Sequence, residues 1–270
     1  PPQTTQALGF DATLPQASVR WSPLPDIALF AGVSRGFEPP TFDDLLIVTG
    51  TYPALAQRVQ PLRAQHATTW EIGVRGQRRA FAWDVTVYTA RWSDEILRLA
   101  DPHGAPRGAV NASPTRHAGL EASARWVLLD HAPRVSLHTT LAWTRLTFVG
   151  DPVYGRSHLA GLPPFLGSAE LLAEIPSGFF AAVGADTTAG RQFVDHANRL
   201  SYGGRTLLHA RAGWRFGRAG TVFVDGRNLL DRRYIVSTAG VLDLVRAPAA
   251  TAIFLPGPGR TLTTGVEWKF

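Results

Sequence analysis

Asp195, His196 and Ser201 share one stretch of the chain, with Asp186 nearby, and together they supply the residue types of a nucleophile–base–orienter relay. Residues so close in sequence do not easily converge on one hydroxyl, which makes acyl transfer a poor reading of this stretch. The eight histidines show no metal-ligand spacing; His131 and His138 fall on a turn and the strand after it. There is no cysteine, which excludes disulfides, thiolate metal sites and cysteine nucleophiles. Binding chemistry remains. The long polar connections carry acidic Glu38, Asp43, Asp44, Asp101, Asp151, Asp195 and Asp243. Against these stand Arg58, Arg63, Arg107, Arg156, Arg191, Arg199, Arg205, Arg246 and Arg260. A slight positive excess suits an anionic ligand held by charge-assisted hydrogen bonds. Tyr154, Arg156 and Arg191 are the candidate contacts, and no catalytic residue, metal ligand or cofactor site is expected.

The segments that must position these loops alternate with period two. Residues 68–76 set Trp70, Ile72 and Val74 against Glu71 and Arg75, and residues 118–126 set Leu120 and Trp126 against Glu121 and Arg125. Residues 206–216 set Leu208, Trp214 and Phe216 against His209, Arg211 and Arg215. The last stretch, residues 260–270, sets Leu262, Val266, Trp268 and Phe270 against Glu267 and Lys269. One face suits hydrocarbon; the other needs water or polar protein. A further strand over residues 222–234 alternates less cleanly, because Phe223 and Leu229 fall on its polar face. Short turns alternate with long loops near residues 37–67, 100–113, 150–160, 191–204 and 237–259, rich in Pro, Gly, Asp and Arg and read as solvated.

The pattern predicts an all-β, antiparallel transmembrane β-barrel with about eleven strands in this chain. Trp21, Trp126, Trp214, Phe216, Trp268 and Phe270 end strands running toward the short turns, as an interfacial aromatic ring would. A soluble sandwich would need no such rim. An open sheet of this size leaves two apolar edges whose backbone groups lipid cannot satisfy, so the chain is expected to be a fragment of a larger barrel. The absence of methionine and the start at Pro1-Pro2-Gln3 agree with that expectation.

The net charge of +6 comes almost wholly from arginine, since Lys269 is the only lysine. These arginines are scattered and form no basic helix or dense run, so nucleic acid is not an expected partner. No apolar run reaches the roughly 18 residues that a spanning helix requires.

Several segments resemble TonB-dependent outer-membrane receptors. They are Ser34-Arg35-Gly36-Phe37-Glu38-Pro39-Pro40-Thr41-Phe42, the stretch from Leu62-Arg63-Ala64-Gln65 to Trp70-Glu71-Ile72-Gly73, and Asn111-Ala112 with His117-Ala118-Gly119-Leu120-Glu121. Asn228-Leu229-Leu230-Asp231-Arg232-Arg233-Tyr234 resembles the family's penultimate strand, and Pro256-Gly257-Pro258-Gly259-Arg260 its approach to the final one. The segments Glu38 to Phe42 and Gly150-Asp151-Pro152-Val153-Tyr154-Gly155 resemble most the ferric-citrate and ferric-siderophore receptors. The resemblance implies the second half of a barrel of about 22 strands, in the bacterial outer membrane, with the plug domain, TonB box and N-terminal strands absent from residues 1–270. It implies transport of a scarce iron chelate using energy from the TonB complex, which acts through the missing plug, and no enzymatic step. Glu71, Arg75, Glu121, Arg125, His209, Arg211 and Arg215 would then face the lumen and plug. Outer-membrane lipids would meet the apolar face, and the assembly machinery would read the strand ending at Phe270. The alternatives are a passive porin-like channel and an outer-membrane barrel enzyme.

Overall fold

The computed structural model describes residues 8–49, 56–104, 106–217 and 220–268. Eleven strands form one antiparallel sheet in which every strand pairs with its neighbours in sequence. We number them β1 Gln16–Leu24, β2 Ile27–Glu38, β3 Gln65–Arg78, β4 Phe81–Ser93, β5 Thr115–Leu129 and β6 Arg134–Phe148. The remainder are β7 Phe165–Glu174, β8 Phe179–Ala189, β9 Arg205–Phe216, β10 Gly220–Arg227 and β11 Thr261–Trp268. β1 and β11 are the two edges of the sheet. Among the described residues no helix is long and apolar enough to cross a membrane.

Cross-strand register fixes which side chains share a face. Along one line, Arg75 faces Asp84, which faces Ser123; along another, Glu121 lies between Thr86 and Ala142. This polar face carries every Asp and Glu of the eleven strands, Glu71, Glu170, Glu174, Asp186, Asp225 and Glu267 among them. The opposite face presents Leu, Val, Ile and Ala, with aromatic rings gathered at the short-turn end. There Phe81 lies 5.3 Å from Trp83 and 6.4 Å from Trp126. Phe179, Trp214, Phe216 and Trp268 follow in a chain of contacts at 5.6, 5.4 and 5.7 Å. Trp21 joins this face opposite Leu29, while Phe270 lies outside the described residues.

Two departures from the sequence reading have clear causes. The strand expected over residues 222–234 leaves the sheet at Arg227, because Asn228 and Asp231 adopt positive φ of 49° and 51° and turn the chain away. The long loops are not simply solvated. Ile96–Ala100 pairs with Pro106–Asn111, Gln192–Phe193 with Ser201–Tyr202, and Ile235–Thr238 with Phe254–Pro256. Ala100, Val194, Leu242 and Leu244 form a small hydrophobic core between these loops. Side chains reach full burial mainly here, at Phe148, Val194 and Leu242, because the wall itself is a single layer.

Candidate functional site

Two surfaces present chemistry: the polar face of the sheet and the loop assembly at its long-loop rim. On the polar face, aromatic rings lie against glycines directly opposite on the next strand. Phe30 faces Gly73, Tyr88 faces Gly119, Phe180 faces Gly213 and Phe223 faces Gly265. Three of these rings are covered by a guanidinium: Arg75 over Phe30 at 4.7 Å, Arg215 over Phe180 at 4.5 Å, and Arg211 over Phe223 at 4.1 Å. Each arginine then reaches a carboxylate, Asp84 at 3.3 Å, Glu174 at 2.6 Å and Glu267 at 3.6 Å respectively. Glycine, ring, arginine and carboxylate thus recur as one unit, and Phe223 on the polar face is a working part of it.

His209 sits between two carboxylates, with Nε2 3.5 Å from Glu170 and Nδ1 3.3 Å from Asp186. Further along, Asp84, Thr86, Glu121, Ser123, Thr140 and Asp186 line an open depression of about 790 Å³. A depression spanning strands β4 to β9 makes the polar face concave there. Glu71, Arg75, Glu121, Arg125, His209, Arg211 and Arg215 all project from this one face.

At the rim, loops are fastened by asparagines that imitate a strand partner. Asn111 accepts from the Arg63 amide and donates to the Arg63 carbonyl, both at 2.8 Å. Asn198 does the same to His158 at 2.8 and 2.9 Å, and Asn228 to Arg232 at 2.9 Å each way, with a further bond to the Pro258 carbonyl. Asp231 accepts from the Arg260 amide at 2.8 Å, so the Asn228-to-Asp231 segment ties the exit of β10 to the start of β11. Asp44 is 5 % exposed, accepts from the Thr41 hydroxyl and amide, and meets Arg98 at 2.9 Å. Burial alone would raise its pKa, but these partners outweigh burial and hold it below the ordinary carboxylate value.

Tyr154 is half-buried, its ring 5.2 Å from Phe148 and 5.5 Å from His196. Burial, and then the neighbouring Asp243 carboxylate, pushes its hydroxyl pKa up to about 12. Arg156 and Arg191 are exposed, and among the described residues no hydrogen bond or ion pair joins either to Tyr154. Asp243 and Arg246, paired at 2.8 Å, lie beside Tyr154, and sequence reasoning passed over this pairing although its i,i+3 spacing is visible.

The stretch weighed for a catalytic relay is structural. Asp195 is fully buried and accepts from the Arg199 and Leu200 amides at 2.9 and 2.7 Å. His196 accepts at Nδ1 from the Ala160 amide at 3.2 Å, and burial drives its pKa down to about 4. Ser201 is paired with Phe193 in a hairpin. One serine pattern escaped that reading: Gly32-Val33-Ser34-Arg35-Gly36 has Gly-x-Ser-x-Gly spacing. It runs straight through β2, with Ser34 between Gln16 and Thr69, and lacks the strand–turn–helix context of a nucleophile elbow.

The sequence profile of the TonB dependent receptor-like β-barrel matches residues 2–229. The chain belongs to the TonB-dependent receptor β-barrel family. This is a family of outer-membrane transport receptors, not of enzymes. No curated protein sequence matches the chain. Among solved structures, the ferric yersiniabactin uptake receptor FyuA from Yersinia pestis is 18% identical with a TM-score of 0.71, covering 94% of this chain and 37% of its own. The ferric citrate transporter FecA is 20% identical with a TM-score of 0.70, covering 96% and 38%. The copper transporter OprC is 17% identical with a TM-score of 0.73, covering 94% and 39%. The TonB-dependent barrel sheet described here therefore spans under two fifths of the length of each.

Proposed function

We propose that this chain forms part of the wall and mouth of an outer-membrane receptor that takes up a scarce iron complex, a siderophore or ferric citrate, using TonB-derived energy. One observation carries the reading. An eleven-stranded sheet confines all its acidic strand residues to one face and bands the other with aromatic rings, in a chain that belongs to a receptor family. The likeness to receptors for ferric yersiniabactin and ferric citrate supports an iron chelate as cargo.

In this reading the sheet edges β1 and β11 pair with further strands of a larger closed wall, since lipid satisfies no backbone hydrogen bond. The polar face lines the lumen, where its arginine–carboxylate pairs meet a plug that couples to the TonB complex. The aromatic band sits at the membrane interface against outer-membrane lipids. The C-terminal strand is what the barrel-assembly machinery reads, so removal of Phe270 lowers surface levels while synthesis continues. Arg156 and Arg191, exposed at the mouth, contact the anionic chelate, and Tyr154 braces the loop that carries Arg156.

The test is a binding and uptake panel with the intact receptor against ferric citrate, ferric siderophores, haem and cobalamin, in cells with and without TonB. TonB-dependent uptake of one iron chelate is the expected result. TonB-independent flux with steady conductance in planar bilayers would replace the reading with a passive channel.

A further inference from the structure

The apolar face carries almost no charge, and where it does the charge is all of one sign and in one place. Apart from Arg78, which reaches Asp26 at the short-turn rim, its charged strand residues are Arg35, Arg91, Arg116 and Arg145. All four are exposed. They lie at the long-loop ends of β2, β4, β5 and β6.

The register places three of them in one row. Arg35 faces Thr68, Thr68 faces Arg91, Arg91 faces Arg116, and Arg116 faces Thr147. Arg145 stands two pairs closer to the sheet centre, opposite Ala118. Arg91 and Arg116 are therefore direct cross-strand partners of like charge, an arrangement that destabilises a sheet unless something neutralises it. Among the described residues none of the four has a carboxylate partner, whereas Arg75, Arg211, Arg215 and Arg227 on the polar face all do. Among the described residues the one side-chain hydrogen bond from this row runs from Arg116 to the Thr89 hydroxyl at 3.3 Å.

Height above the aromatic band decides what neutralises the row. Along β5, Arg116 lies ten residues from Trp126. That is roughly 33 Å of strand at ~3.3 Å per residue, and a barrel tilt of about 40° reduces it to roughly 25 Å, the height of an outer-membrane apolar band. Trp70 and Trp143 flank the band just inside the arginines, both outward and exposed. The row thus stands where headgroups meet acyl chains on the loop side.

We infer that Arg35, Arg91, Arg116 and Arg145 form a docking site for an outer-leaflet lipid whose phosphate groups sit directly above its acyl chains. Guanidinium forks match phosphate oxygens bidentately, and the acyl chains lie along Ile72, Val87 and Leu120 below. This rests on the membrane-barrel reading above and is distinct from cargo binding, which uses the loops at the mouth.

The test uses native mass spectrometry of the intact receptor in mild detergent, with diphosphoryl lipid A and with the same lipid lacking phosphates. Wild-type protein is expected to retain the diphosphoryl lipid at least tenfold better. Arg91→Gln with Arg116→Gln is expected to lose at least tenfold in retention, while Arg78→Gln is unchanged. Equal retention of the two lipids by wild-type protein overturns the inference without any variant having to fold. So does undiminished retention by a double variant that still migrates as a compact, heat-modifiable barrel. Displacement of the lipid by millimolar inorganic phosphate alone would mean that the arginines read free phosphate, and the lipid site falls. Wild-type protein absent from the outer-membrane fraction would overturn the barrel reading itself.

Discussion

Phe30 occupies the space that a side chain at Gly73 would need: a Cβ on Gly73 would lie 2.3 Å from the ring and 2.7 Å from the Val85 carbonyl oxygen. The ring is pinned between that glycine and the Arg75 guanidinium. Pairing a ring with an opposing glycine keeps a large apolar group flat against the wall and holds the arginine beside Asp84.

Gly73→Val is therefore expected to displace the ring and strain two strands, at about 1–3 kcal/mol. The barrel's loss of heat-modifiable migration should come at lower temperature than in wild type. Phe30→Ala combined with Gly73→Val should recover part of that loss, because the clash partner is gone. An unchanged transition in the single variant would mean the ring has room to move.

Asn228 holds three backbone groups with one amide while itself at positive φ. Asn228→Ala removes all three bonds and puts a Cβ-bearing residue without a side-chain hydrogen bond into a left-handed conformation. Each lost bond is worth about 1 kcal/mol. Lower outer-membrane levels with normal synthesis are expected. Asn228→Asp should be intermediate, since it keeps the bond from the Arg232 amide and loses the two donated bonds.

His196 gives the loop assembly a pH dependence whose sign is fixed. Its folded pKa is about 4 against an ordinary 6.5, so between those values the unfolded loop binds the extra proton. Stability is full above pH 6.5 and falls as pH drops toward 4, by up to about 3 kcal/mol. Hydrogen exchange over residues 192–202 and 241–244 should accelerate at pH 5 relative to pH 7.5. His196→Gln, which does not titrate, should flatten that difference.

The wall was legible because period two reports one exposed apolar face and one charged face, and strands such as β3, β5 and β9 carry it unambiguously. Phe223 looked like a lapse in the pattern only because its meaning lies on β11, in Gly265. The end of β10 was misplaced because nothing in local hydropathy signals that Asn228 and Asp231 turn the chain. The loop core was invisible for a third reason. Val194 and Leu242 meet through a pairing of distant segments, Asp195 beside Leu242, that no local spacing encodes. For the candidate ligand residues, sequence identified Tyr154 by type, but its packing against Phe148 and His196 depends on the same long-range loop closure.

Arg156 and Arg191 provide the clearest separation between cargo recognition and loop architecture. Both are exposed, and among the described residues neither has an ion pair, so removing them leaves no buried partner stranded. A charge-assisted hydrogen bond is worth about 1.5–3 kcal/mol when well formed, and solvent screening at an exposed rim reduces this. Arg156→Ala and Arg191→Ala are each expected to weaken binding of an anionic iron chelate about three- to tenfold. The loss should shrink as salt rises, because screened charge is what the variants remove. Circular dichroism and loop hydrogen exchange should stay at wild-type values. A loss of affinity that persisted undiminished at high salt would assign these arginines a packing role instead, and no loss at all would place the chelate elsewhere on the mouth.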